Sequence, residues 1–351
     1  MKKRFLILGA GAIGSYLGGS LALKGHEVLF LEREKDILTL QEQGIIMEIE
    51  GKKTTITTPQ YTSSLNQALA QNPDLIILTV KTYHIDTILP DLIFHQEKLP
   101  PLLCLQNGVE SENILADALG SELIIPCTVT SAVDCPAKGN IIVRKIRGMG
   151  IAGSHPISKG LVKIFQEAGI HCVYYPNAEN MKWSKLITNL LGNAASAILN
   201  LTPAEIYSNS ALYQVELDQI REALNVMHIQ GIKPVNLPGV PVKILAAIIK
   251  YLPYRLSQPL LSRMIGGGRG KKMPSFHIDL YSGRGQSEVS QLNGAVVRAG
   301  EISCVPTPVN SFLTKTLLSL IGREIPLETY NQGQEEFLSQ LAAAKLNVRS
   351  T

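Results

Sequence analysis

Three glycines near the N-terminus, with a few lysines, asparagines and carboxylates, carry the chemistry open to this sequence. Gly9-Ala10-Gly11-Ala12-Ile13-Gly14 has GxGxxG spacing. In that pattern the first glycine permits a tight turn. The second lets backbone approach a pyrophosphate, and the third lets a helix pack closely on a strand. A helix opening at Ala12 and Ile13 would present free N–H groups and a positive dipole end to an anion. Gly9, Gly11, Ala12, Ile13 and Gly14 are therefore candidate dinucleotide-binding residues. A glycine-rich turn with no ligand is the alternative, and the strand-then-helix context argues against it.

The next apolar run ends Phe30-Leu31-Glu32-Arg33. An acid at this place grips the ribose 2′-hydroxyl of NAD, whereas an arginine pairs with the 2′-phosphate of NADP. Both types are present, inside a charge run (Glu32, Arg33, Glu34, Lys35) that also fits a solvated loop. If Glu32 faces the ribose, its charge repels a phosphate. If it faces away, Arg33 can reach one.

Lys81 follows the run LIILTV, and Asn107 follows LLCLQ. Ligands of open parallel sheets bind beyond the carboxyl ends of strands, so both residues are placed to meet a dinucleotide. A solvated lysine and an Asn-Gly turn are the plainer alternatives. Lys182, Lys185, Asn189 and Asn193 recur at helical spacing among Leu186, Ile187, Leu190, Leu191 and Ala194, forming a polar stripe on an apolar helix. Half-buried amides need partners, which a substrate or a neighbouring helix can supply. Glu288 falls early in a predicted helix, where a carboxylate also suits the dipole. Ser275 follows Pro274 and reads equally as a helix cap.

The elements that must position these residues alternate through the first half. Strands are expected at Phe5 to Leu8, Glu27 to Leu31, Leu75 to Val80, Leu102 to Leu105 and Leu123 to Ile125, with a helix over Ile13 to Leu23. Such alternation predicts a parallel sheet covered on both faces. Ile141 to Ile151 and His171 to Tyr175 are expected as antiparallel edges. After Pro176 the period becomes helical, over Met181 to Leu199, Ala211 to Gln230, Val242 to Leu252, Glu288 to Ala299 and Val309 to Leu320. The expected domains are residues 1–178 and 179–351. Gly266 to Lys272 reads as a flexible basic loop, and lacks the Ser or Thr of a Walker loop.

Composition narrows the function classes. The 351 residues are 45% hydrophobic and 18% charged, with a net charge of +4, which excludes a mostly disordered chain. Nucleic-acid binders concentrate basic charge more strongly. Cys104, Cys127, Cys135, Cys172 and Cys304 form no CxxC pair, so scattered thiols in a reducing compartment are expected, with no metal site. The basic start and FLILGAGAIG imitate a secretory signal, but glycines interrupt the apolar stretch. No run reaches the ~20 apolar residues a membrane span needs. A cytoplasmic protein is expected, without nucleic-acid or membrane partners.

Several motifs in order resemble the ketopantoate reductases (2-dehydropantoate 2-reductases), which group with the 6-phosphogluconate-dehydrogenase-like enzymes. They are ILGAGAIGS, LTVKTYH around Lys81, LQNGVE around Asn107, MKWSKLITNLLGNAASAI around Lys185, and MPSFHIDLYSGRGQSEVSQLNGAVVRAGEISCVPTPVN. The resemblance spans nearly the whole chain. It implies an α/β Rossmann domain followed by an all-α domain. It also implies NADPH-dependent reduction of 2-dehydropantoate to (R)-pantoate, in pantothenate and coenzyme A biosynthesis. By position, Lys185 would be catalytic and Glu288 its partner carboxylate. Asn189, Asn193 and Ser275 would line the substrate pocket. Lys81 and Asn107 would sit by nicotinamide and substrate; Arg33 is a cofactor candidate from its place after the second strand, not from the resemblance. Glu32 keeps NADH open, and a homodimer is also left open. The chain exceeds the shortest members, with the excess near residues 234–272, so substrate identity stays open. The rival readings are a same-fold reductase of another 2-oxo acid and a non-catalytic NAD(P)-binding sensor. A sensor would not need the Lys185 and Glu288 pair.

Overall fold

The run Arg4–Leu8 alternates its side chains between two apolar cores. Phe5 and Ile7 enter one core with Leu17 and Leu21, while Leu6 and Leu8 enter another with Leu115 and Leu119. A strand buried on both faces reads as a continuous apolar run, which is why Phe5 to Leu8 and Leu75–Leu78 lack polar positions, while the exposed Arg4 stands outside both cores. The computed structural model describes residues 2–153, 155–269, 272–283 and 285–349. It divides into two compact units, Met1–Lys182 with Asn236–Val240, and Trp183–Val235 with Pro241–Thr351.

The strands of the first unit are β1 (Arg4–Leu8), β2 (Glu27–Leu31), β3 (Ile45–Ile49), β4 (Lys52–Ile56), β5 (Gln60–Thr62), β6 (Leu75–Leu78), β7 (Leu102–Cys104), β8 (Ile124–Val129), β9 (Ala132–Ala137), β10 (Asn140–Lys145), β11 (Met149–Ala152) and β12 (Cys172–Tyr175). Its helices are α1 (Ala12–Leu23), α2 (Glu34–Gln43), α3 (Leu65–Leu69), α4 (Ile85–Phe94), α5 (Ser111–Leu119) and α6 (Ser158–Glu167). An eight-stranded sheet has the order β12-β11-β8-β7-β6-β1-β2-β5. Strands β5 to β8 through β1 run parallel, with Phe5 opposite both Val28 and Leu75. The order reverses at β1 and β6, the topological switch point where such sheets bind ligands.

A second sheet, ordered β4-β3-β10-β9, departs from the sequence expectation. Ile141 to Ile151 does not form one antiparallel edge. Residues of β10 pair parallel with β3 and antiparallel with β9, whereas β11 pairs antiparallel with β8 in the large sheet. Strand β12 is parallel to β11, not antiparallel. The pairing of β10 with β3 joins segments far apart in sequence, so local alternation does not reveal it.

The remaining helices are α7 (Ala178–Leu190), α8 (Ala194–Leu199), α9 (Pro203–Ser208), α10 (Ser210–Ile229), α11 (Val242–Tyr251), α12 (Tyr254–Arg269), α13 (Ser275–Tyr281), α14 (Asn293–Ile302), α15 (Pro308–Ile321) and α16 (Gln334–Arg349). The first five residues of α7 belong to the first unit. The expected single helix over Met181 to Leu199 is broken, because Gly192 adopts φ +57 between α7 and α8. Glu288 lies in a turn before α14, not in its first turn. Leu292 at φ −108, ψ −83 delays that helix to Asn293, whose buried amide donates to Gln219 and Asn310. The backbone of 266–269 continues α12 in place of the expected loop. Gly270 and Lys271 of that expectation lie outside the described residues. Of the long segment near 234–272, Asn236–Val240 packs in the first unit, where Asn236 O accepts Tyr175 Oη at 2.8 Å and Pro238 O accepts Thr130 Oγ1 at 2.8 Å.

Candidate functional site

The glycine turn lies at the carboxyl end of β1, against the end of β6. Gly9 has φ +102, a conformation side-chain-bearing residues rarely adopt. A Cβ on Gly14 would stand 1.9 Å from Gly9 O and 2.7 Å from Thr79 Oγ1. Glycine is therefore needed there for α1 to close on the turn. Gly11 is the extended N-cap of α1, no side chain caps the helix, and open space surrounds its Cβ position. Ala12 and Ile13 form the first half-buried turn. An uncapped helix start behind a glycine turn fits the pyrophosphate of a dinucleotide. Thr79 pins this loop, its hydroxyl lying 2.9 Å from Leu8 O and 2.8 Å from Gly9 O. Nothing local in the sequence marks Thr79 for this task.

Glu32 is the first residue after β2. Its Oε1 accepts the Ala10 N–H at 3.2 Å, and its Oε2 accepts the Arg33 N–H at 3.2 Å. The carboxylate is thus turned onto the glycine loop. The Arg33 guanidinium instead meets Asp36, with Nε at 3.1 Å and Nη2 at 3.0 Å from Oδ2. Lys138 shares that carboxylate, and its hydrogen bond holds Asp36 below the usual carboxylate range. Tyr61 is pushed up to about 12 by burial and then by the charge of Glu32.

Lys81 opens the turn Thr82–His84 just beyond β6 and is half-buried. Thr82 Oγ1 donates to Asn107 O at 3.1 Å, so the Lys81 and Asn107 segments are tied together. Beneath them, Gln106 Nε2 donates to Leu78 O at 2.9 Å and Val80 O at 3.2 Å. Lys182 Nζ donates to Gln106 O at 2.6 Å and pairs with Glu112 Oε1 at 2.6 Å. Lys182 is buried and acts on the backbone beside Asn107 rather than lining a polar stripe. Gln106 and Glu112 escaped sequence reasoning because their partners come from other elements. Burial pushes the nearby Cys104 and Cys127 thiols well up, which suits inert core groups.

In the second unit, Lys185 and Asn189 lie half-buried one turn apart on α7. Asn193 is the buried N-cap residue of α8. Its Oδ1 accepts the Phe276 N–H at 3.0 Å, and its Nδ2 donates to Asn189 O at 3.1 Å and Ser275 Oγ at 3.4 Å. Asn189, Asn193 and Ser275 are thus brought together. Ser275 is the first exposed residue of α13 and not its cap, a task done by the Asn193 amide. Glu216 also escaped sequence reasoning. Its buried carboxylate accepts the Gly192 N–H at 2.6 Å and the Tyr207 hydroxyl at 3.3 Å, holding the break between Asn189 and Asn193. Glu288 is buried just before α14. Among the described residues, no group of His, Cys, Asp and Glu could hold a metal ion. None of the described helices is long and apolar enough to cross a membrane.

Comparison with known proteins gives one consistent result. A 2-dehydropantoate 2-reductase of Pyrococcus horikoshii is 26% identical, over 88% of this chain and 95% of its own length. One from Lactococcus lactis is 24% identical, over 90% of this chain and 97% of its own. Among solved structures, a PanE/ApbA family ketopantoate reductase of Ralstonia eutropha superposes with TM-score 0.77 and 25% identity, covering 92% of this chain and 99% of that one. A D-mandelate dehydrogenase complex with NADH and anilino(oxo)acetate shares the fold, with TM-score 0.74 and 22% identity, over 91% of this chain and 99% of that one. The model described as ketopantoate reductase PanE/ApbA matches residues 5–153, and that of its C-terminal domain matches residues 177–320. With both domain models matched in order, the chain belongs to the ketopantoate reductase family.

Proposed function

We propose that this chain reduces the ketone of 2-dehydropantoate to (R)-pantoate, in the cytoplasm, for pantothenate and coenzyme A biosynthesis. The observation that carries this reading is the Asn193 amide bridging Ser275 Oγ to the Asn189 carbonyl, on the helix that also bears Lys185, in a chain of this family. A reduced nicotinamide dinucleotide, when bound, supplies the hydride that adds to the ketone carbon. NADPH is the form the family resemblance implies.

The protein's own groups have separable tasks. Gly9, Gly11, Ala12, Ile13 and Gly14 hold the pyrophosphate with backbone and helix start. Lys81 and Asn107 serve the nicotinamide end, and Asn107 also the substrate. The Lys185 ammonium hydrogen-bonds the ketone oxygen and stabilises the alkoxide that forms as the carbonyl π pair moves there. It then gives that oxygen its proton and is reprotonated from solvent. Glu288 supplies the countercharge that keeps Lys185 protonated. Asn189 and Ser275 bind the substrate's polar groups without adding net charge. Asn193 acts mainly by presenting Ser275, since its amide is engaged with Phe276, Asn189 and Ser275.

The deciding assay follows consumption of reduced nicotinamide by purified protein with 2-dehydropantoate, beside a panel of other 2-oxo acids. Selective turnover of 2-dehydropantoate is expected. Selective turnover of another 2-oxo acid would replace the substrate and keep the reaction class. Dinucleotide binding without turnover of any would favour a sensor.

A further inference from the structure

We propose that Glu32 makes this chain select the non-phosphorylated dinucleotide, NADH, over NADPH, by accepting hydroxyls of the adenosine ribose. The proposal rests on the dinucleotide reading above and deepens it. Strand β2 pairs with β1, and the Glu32 N–H continues toward β5 by donating to Thr62 O at 3.0 Å. The residue therefore leaves the sheet at a defined place, beside the switch point. Its carboxylate could have turned to solvent, the solvated-loop alternative for this charge run. It is instead held to the glycine loop by the Ala10 N–H at 3.2 Å. An acceptor anchored on the phosphate-binding turn at the end of β2 suits a ribose diol.

A 2′-phosphate would meet the opposite conditions. It brings about −1.5 to −2 charges at neutral pH. Placed beside Glu32, it meets like charge unless a cation is free to offset both. Two neighbouring cations, Arg33 and Lys138, are already matched by one carboxylate. Arg33 contacts Asp36 at 3.0 Å, and Lys138 pairs with the same Asp36. Arg33 is 67% exposed, so its pair with Asp36 is loose enough to open. Even then, freeing Arg33 leaves Glu32 in place. The Tyr61 hydroxyl is buried beside this carboxylate without a partner and adds no positive charge.

Direct binding tests the idea without turnover. Calorimetric titration of the full chain with NADH and with NADPH is expected to show at least ~10-fold tighter binding of NADH. Glu32→Gln keeps the shape and removes the charge, so it should narrow that ratio mainly by improving NADPH. Arg33→Ala should change both affinities by similar factors. Tighter NADPH binding by the unaltered chain would overturn the proposal. So would a Glu32→Gln ratio equal to that of the parent, or an Arg33→Ala loss confined to NADPH. If neither dinucleotide binds a folded chain, the dinucleotide reading itself fails. If NADPH binds more tightly, only the selectivity fails.

Discussion

Lys182 Nζ stands 2.6 Å from Glu112 Oε1, and both residues are buried. The same ammonium donates to Gln106 O, one residue before Asn107. Removing one member leaves the other charge buried and alone, which costs about 3–5 kcal/mol, whereas replacing both by apolar groups can be close to neutral. Urea unfolding should therefore show Lys182→Met strongly destabilised and Lys182→Met with Glu112→Leu largely recovered. Additive losses in the double variant would show that the two side chains are not coupled.

On the proposed mechanism, Lys185→Ala should lower kcat by ~100-fold or more, since it would remove the group assigned as proton donor. Dinucleotide affinity, measured by titration, should be nearly unchanged. Glu288→Gln should lower activity while the thermal transition stays cooperative. A wild-type kcat in Lys185→Ala would remove that residue from the reaction.

Gly14→Ala brings a methyl to 1.9 Å from Gly9 O. The helix must then move off the turn, and backbone atoms cannot yield as a flexible side chain does. Dinucleotide binding should be lost, or weakened by orders of magnitude, in a calorimetric titration. Unaltered affinity would mean that this turn does not hold the cofactor.

Glu216→Gln removes a charged acceptor from the Gly192 N–H, bonded at 2.6 Å. Hydrogen bonds to charged groups contribute about 1.5–3 kcal/mol. The break between α7 and α8 should loosen, and with it the spacing of Asn189 and Asn193. Steady-state kinetics should show a raised KM for the oxo acid, with the dinucleotide affinity held. Equal weakening of both would mark a general loss of folding instead.

Burial raises Glu222 from 4.5 to about 7, although Val309 N, Asn310 N and Asn310 Nδ2 all donate to its carboxylate. Between those two values the folded chain holds a proton that the unfolded chain has released. Stability from this group must then fall as pH rises through the window, from about 4.5 to about 7. Thermal melts of Glu222→Gln and the parent should differ in slope across that range, with the parent losing more on going to higher pH. Parallel profiles would show that Glu222 titrates normally.

Much of this architecture is legible in one dimension. Glycine spacing marks the turn, since few residue types tolerate φ +102 at Gly9 or the space at Gly14. Apolar runs such as Leu75–Leu78 mark buried parallel strands, because both faces of each are covered. Helical periodicity beyond Pro176 marks the helical C-terminal region, where the family match covers residues 177–320. What stayed hidden depends on partners distant in sequence. Strand β3 finds β10 nearly a hundred residues later, and no local pattern encodes that register. Gly192 broke a helix whose apolar period runs on through it, because the buried Glu216 carboxylate holds the break. The direction of Glu32 was undecidable from its charge run. Only the packing of β2 against β1 brings its carboxylate to the Ala10 N–H, where one hydrogen bond orients it.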